Sequence, residues 1–243
     1  MFYKKENIVN ELLFIGFILV DMLLMLLTFK FFGKSGLIAF YVSHILLVQM
    51  TIKLQVDLFG FTAVIGSMLY AVLFATTDIL TEHYGKKAGY KAVLLGALCL
   101  GVFIFVVNVA NAFSPSSTDI SKPLFTGLFA GQWRITLSDL MIGILAGQLF
   151  DVWFFHKIEE WTKGKYLWLR NNGSTFISQT IVAVLFFQCA FAGVIEQSVL
   201  WQIIWVGLVM KIFIAFIDTP CLYLSYKFVP KGTKKHRVDY IVE

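Results

Sequence analysis

Apolar positions in this chain gather into seven long runs, residues 11–32, 37–48, 61–77, 92–112, 137–155, 176–194 and 203–224. A helix needs roughly 20 apolar residues to cross a bilayer, and these runs approach or reach that length. The pattern predicts an all-α polytopic membrane protein with seven spans. Six form a core over residues 35–228. One additional N-terminal helix occupies residues 1–34, and a basic tail covers 229–243.

The polar breaks organise these runs. Residues 114–123 (Ser-Pro-Ser-Ser-Thr-Asp-Ile-Ser-Lys-Pro) favour turns over helix and divide the core into two triplets of spans. That arrangement suggests an old duplication, although no internal sequence repeat supports it. Lys4 and Lys5 precede the first run as in a secretory signal, but Leu12–Leu27 continues into Thr28-Phe29-Lys30 with no small-x-small exit, so the helix is expected to stay.

Charge sets the expected orientation. The Lys86-Lys87 turn, the connection from Lys157 to Arg170, and the tail with Lys227, Lys231, Lys234, Lys235 and Arg237 are basic. The alternating connections at 111–131 and 193–202 carry almost no positive charge. The positive-inside rule then puts the C-terminus in the cytoplasm. With seven spans the N-terminus lies outside, which Lys30 and Lys34 favour and Lys4 and Lys5 oppose.

Composition agrees with this picture. The chain is 58% hydrophobic and 14% charged, against about 25% charged in an average soluble domain. A soluble globule could not hide that much apolar surface, and no soluble domain is left to bind nucleic acid despite the net charge of +5. Cys99, Cys189 and Cys221 are too scattered for a disulfide framework, and His44, His83, His156 and His236 too dispersed for a metal site. Walker, HExxH, CxxC and GxSxG motifs are absent, so no enzyme, cofactor or metal chemistry is expected.

Against this apolar background, the charges at membrane depth are the candidate chemistry, because such placement is expensive. Asp78 and Glu82 lie four apart on one helical stripe and can accept hydrogen bonds from a solute's N–H groups. Glu82 can instead mark the helix end and pair with Lys86. Lys53 and Asp57 are also four apart, either as a structural ion pair or as a charged hinge between spans. Lys211 and Asp218 stand two turns apart on one face, with Pro220 freeing the carbonyl of Phe216. Ser174 or Asn172 can cap the sixth span, leaving Arg170 and Asn171 for a cavity mouth. Gln179, with Gln148 and Asp151, offers amide and carboxylate contacts, or simply bridges helices. Trp153, Tyr166 and Trp168 are expected at the membrane interface.

Several of these strings agree with one family. Val56-Asp-Leu-Phe-Gly60, the segment from Tyr70 to Lys87 around Thr77-Asp78 and Glu82, Gln148-Leu-Phe-Asp-Val-Trp153, Leu167-Trp-Leu-Arg-Asn-Asn172 with Ser178-Gln179, and Lys211 through Asp218-Thr-Pro220 resemble the queuosine precursor transporters of the vitamin uptake transporter class. The resemblance covers nearly the whole chain in order. It implies bacterial inner-membrane uptake of a 7-deazaguanine, such as the cyano or aminomethyl precursor base, or of the salvage base queuine, for making queuosine in transfer RNA. A fold akin to the substrate-binding subunits of energy-coupled vitamin transporters is also implied, which leaves a binding subunit served by a separate ATPase as the alternative. The expected partners are a nucleobase-like solute and the lipid bilayer, with self-association open. The candidate binding residues are Lys53, Asp78, Glu82, Gln148, Asp151, Arg170, Asn171, Gln179, Lys211 and Asp218. The chain departs from the family at Val48 and Ser67, where Asn is usual, and at Val182-Ala183, where Asp-Thr is usual. Losing buried polar partners changes what a site can bind, so the base itself stays open.

Overall fold

The computed structural model describes residues 2–230, with side chains from residue 8 onward. Lys4, Lys5, Lys231, Lys234, Lys235, His236 and Arg237 lie outside the described side chains. Among the described residues, five segments are long and apolar enough to cross a membrane: Ile8–Thr51, Lys86–Ala112, Gln132–Trp161, Leu167–Phe191 and Gln197–Ser225.

The first of these holds two of the expected spans. Its helical residues, Phe2–Thr51, are interrupted at Gly33 (φ 58°, ψ −137°), a backbone conformation that a side chain disfavours. Asp21 and His44 are 23 residues apart, which on a straight helix would be about 35 Å. Yet His44 Nε2 lies 2.9 Å from Asp21 Oδ1, and both residues are buried. The chain therefore doubles back at Gly33 into α1 (residues 2–32) and α2 (residues 34–51).

The third expected span, 61–77, is displaced. Gln55–Leu58 (β1) and Phe61–Val64 (β2) form an antiparallel hairpin, the one departure from an all-α chain among the described residues. Phe59 (φ 52°) and Gly60 (φ 82°) join the strands, both left-handed as a two-residue hairpin turn requires. Val56, Phe61, Thr62 and Val64 are β-branched or aromatic, a composition that serves a strand as readily as a membrane helix. The hairpin corrects the four-apart helical pairing considered for Lys53 and Asp57. Asp57 accepts from Thr62 Oγ1 at 3.1 Å, and Lys53 Nζ donates to the carbonyls of Leu128 (2.8 Å) and Ala130 (2.9 Å).

After the hairpin, α3 (Ile65–Tyr84) has 20 residues, about 30 Å of helix, long enough to span but outside the five apolar candidates. Every residue from Met68 to Thr81 is buried, so α3 is enclosed by the others. Gly85 turns the chain into α4 (Lys86–Ala112). The loop expected over 114–123 ends early, because Pro123 sits in the first turn of a short helix, α5 (Lys122–Phe129), where its missing N–H is harmless. Then follow α6 (Gln132–Trp161), α7 (Leu167–Phe191) and α8 (Gln197–Ser225). Within α6, residues Asp139–Gln148 are π-helical, a rare form often found at functional positions.

Two ends result. At the Gly85 end lie the Gly33 turn, with Lys30 and Lys34, and the connection from α6 to α7, with Lys163 and Lys165. At the hairpin end the cations are engaged with helix carbonyls. Lys53 takes those at the end of α5, Lys122 Nζ those of Ala110 (2.7 Å) and Asn111 (2.9 Å) at the end of α4, and Arg134 those of Cys189 (2.8 Å) and Ala192 (2.9 Å) at the end of α7. These are the carbonyls that a helix C-terminus leaves unsatisfied. Trp153, Tyr166 and Trp168 are 42%, 60% and 50% exposed and face outward, as interface anchors do.

Candidate solute-binding site

The inward faces of α3, α6, α7 and α8 carry a buried polar layer toward the Gly85 end. Asp78 comes from α3, Gln148 and Asp151 from α6, Asn171, Ser174, Ser178 and Gln179 from α7, and Asp218 from α8, all buried. The fields of Asp151, Asp218, Glu82 and Arg170 all reach Asp78, so the carboxylates occupy one neighbourhood.

The α7 side chains belong here because that helix starts earlier than its polar residues suggest. It begins at Leu167, with Tyr166 left-handed (φ 55°) before it and no side-chain cap. Ser174 and Asn172, expected as caps, lie inside the helix. The run from Arg170 to Gln179 is a polar stripe facing α6 and α8, and a stripe and a terminus look alike in sequence. Asn171 Nδ2 donates to Asp218 Oδ1 at 2.8 Å, Asn172 Nδ2 to Thr219 Oγ1 at 2.8 Å, and Ser178 Oγ to Asp151 Oδ1 at 2.9 Å.

The layer keeps unpaired groups, mostly acceptors. Both carboxylate oxygens of Asp78 are buried without a hydrogen-bond partner, as are Asp151 Oδ2, Gln148 Nε2, Asn171 Oδ1 and both amide ends of Gln179. Such groups cost roughly 1–3 kcal/mol each when left unsatisfied, more when charged. The one guanidinium nearby is engaged: Arg170 Nη2 bridges Glu82 Oε1 (2.6 Å) and Oε2 (2.5 Å), Nη1 donates to the Gly164 carbonyl (3.0 Å), and the Tyr226 hydroxyl donates to Glu82. Glu82 thus pairs across 88 residues with Arg170 rather than with Lys86, whose ammonium lies over the Tyr90 ring. Helix α3 ends at Tyr84, so Lys86 belongs to the next helix and is no longer one turn away on the same face.

A second polar network lies toward the hairpin. Asp139, at the start of the π segment, accepts from Tyr70 Oη (2.8 Å) and Gln49 Nε2 (2.5 Å). Thr136 Oγ1 donates to Gln49 Oε1 (3.0 Å), and Gln132 Nε2 to the Gln49 carbonyl (2.5 Å). Asp139 was not among the residues singled out from the sequence. It lies inside the apolar run 137–155, so the rule that flagged Asp78 also flags it. A Cβ at Gly143 would clash with Asp139 Oδ1 and Tyr70 Oη, so the glycine makes this close approach feasible. Gly143→Ala is expected to lower the thermal melting temperature in detergent, with a loss of about 1–3 kcal/mol as in other overpacked sites; an unchanged melt would mean that the network can shift aside.

The structure therefore brings together Asp78, Gln148, Asp151, Asn171, Gln179 and Asp218, with the Glu82–Arg170 pair at the Gly85 side of the layer. Lys211 belongs to the Asp139 neighbourhood, and Lys53 stands apart at the hairpin end. Among the described residues no group of three His, Cys, Asp or Glu side chains is placed to hold a metal ion. Buried acceptors without cations suit a ligand rich in N–H groups.

Comparison with known proteins agrees with this construction. A protein from Bacillus subtilis (strain 168), described as a probable queuosine precursor transporter, is 32% identical over 226 residues, covering 93% of this chain and 98% of the relative. No solved structure matches. The family described as putative vitamin uptake transporter matches residues 64–225, which includes every member of the carboxylate layer. A multi-pass helical membrane protein with a buried polar layer, this chain belongs to the vitamin uptake transporter family.

Proposed function

We propose that this transporter imports a queuosine precursor or salvage base, a 7-deazaguanine, and that Asp78, Gln148, Asp151, Asn171, Gln179 and Asp218 bind it. The observation that carries the assignment is Asp78, wholly buried with both oxygens unpartnered. A guanine-like edge presents a ring N–H and an exocyclic amino N–H side by side, and a carboxylate accepts such a pair with two charge-assisted hydrogen bonds. Glu82 and Arg170 close the layer on its Gly85 side and fix its charge balance. In this reading the Gly85 end, with Lys86, Lys87, Lys163 and Lys165, faces the cytoplasm of a bacterial cell membrane.

Expression in a precursor-requiring cell that lacks its own carrier is expected to restore queuosine in transfer RNA when the cyano base, the aminomethyl base or queuine is supplied. Failure with all three, at good membrane levels, would overturn the substrate assignment. If restoration required a copurifying ATPase, the chain would be a binding subunit rather than a solitary carrier.

A further inference from the structure

Two narrow cavities adjoin beneath the hairpin, sharing Ser67 and Phe187 as walls. One reaches up to Thr62 and Val64, and the other runs down to Asp139 and Lys211. Lys211 is only 8% exposed. Its Nζ lies 5.0 Å from the centroid of the Tyr70 ring and, among the described residues, makes no hydrogen bond. Asp139 lies close enough to offset its charge but makes no hydrogen bond with it, its oxygens accepting instead from Tyr70 and Gln49. A buried ammonium with unused donors, lining a cavity shared with Asp139 and Tyr70 and otherwise walled by Phe186, Phe187, Val182 and Ile52, has a defined chemical complement. It takes a compact acceptor such as a nitrile or carbonyl, and because Lys211 already offsets Asp139, a second buried cation would find no uncompensated anion there.

We propose that the Lys211 cavity is the subsite for the substituent on the base, and that its ammonium makes the transporter prefer a neutral, acceptor-bearing 7-deazaguanine over one with a cationic arm. This inference rests on the import of a 7-deazaguanine proposed above. Lys211 and Asp218 are seven residues apart on one helix, about 10 Å along its axis. That separation suits the long axis of a 7-substituted bicyclic base, with the N–H edge on the carboxylate layer and the substituent pointing to the hairpin. The cavity is too narrow for the ring itself, which fits a subsite for a small linear group. Two positions where the chain departs from its family, Ser67 and Val182, are walls of this same cavity.

Competition uptake tests the inference with the protein in membrane vesicles, using labelled cyano base displaced by unlabelled cyano or aminomethyl base. The wild type is expected to favour the cyano base at least about tenfold. Lys211→Met is expected to erase or invert that preference, and Lys211→Arg to keep it. A wild type that takes the cationic base equally well or better would overturn the inference without any variant being made. So would an unchanged ranking in Lys211→Met at matched membrane levels, while import itself stood. If Lys211→Met fails to accumulate, Lys211→Gln serves, since it keeps a donor but removes the charge: loss of the preference supports the proposal and retention overturns it. A wild type that carries none of these bases would instead remove the import reading, and this inference with it.

Discussion

Asp78→Asn is expected to abolish uptake while leaving the protein folded in the membrane. The substitution keeps shape and removes the charge that accepts two N–H groups together. A hydrogen bond to a charged group is worth about 1.5–3 kcal/mol, so uptake at limiting substrate should fall at least tenfold. Stability should move the other way or not at all, because both Asp78 oxygens already lack partners and an amide can donate to the neighbouring Asp151 or Asp218. Asp218→Asn should also lose uptake, but with some loss of stability, since Asp218 accepts from Asn171 at 2.8 Å. The signature of a binding group is lost transport at an unchanged or raised melting temperature. Normal uptake by both variants would make these carboxylates structural and would end the recognition scheme.

The opposite signature is expected for Arg170→Ala. Arg170 is 2% exposed, and its guanidinium bridges both oxygens of Glu82, donates to the Gly164 carbonyl and lies over the Phe155 ring at 5.5 Å. Removing one member of a buried pair leaves the other charge stranded, which typically costs about 3–5 kcal/mol. Little folded protein should reach the membrane. Adding Glu82→Gln to Arg170→Ala removes the stranded charge and is expected to recover part of that loss, whereas Glu82→Gln alone should be milder than either Asp change in uptake. Fluorescence-detected size exclusion of the solubilised variants reads this directly. A double variant no better than Arg170→Ala would show that the guanidinium's other contacts, not Glu82, govern stability.

Residues that obey a single-helix rule were legible in the sequence, and those defined by a distant partner were not. Asp78, Lys211 and Asp218 stood out because charge inside an apolar run is conspicuous whatever the neighbours are. The bond from Arg170 to Glu82 spans 88 residues, and no spacing rule connects them. The hairpin at 55–64 was hidden because valine and phenylalanine serve strand and membrane helix alike; the turn signal was Asp57-Leu-Phe-Gly60, a glycine closing a polar-to-apolar stretch. Asp21 and Asp139 were overlooked although both lie inside apolar runs, and each proved to anchor a buried hydrogen bond to a partner on α2, His44 and Gln49 respectively. The polar stripe of α7 was read as a helix end because local rules treat Asn and Ser as caps before they treat them as a face.

The bond between Asp21 and His44 also bears on how the chain is built. Both partners belong to the first two helices, so this pair can satisfy its own polar groups and settle in lipid as soon as it is synthesised. The next helix has no such provision. A nascent chain that has released α3 carries Asp78 and Glu82 into the bilayer before α7 supplies Arg170 and Asn171, or α8 brings its own charges. The pairing of Glu82 with Arg170 therefore becomes possible only once α7 has been made.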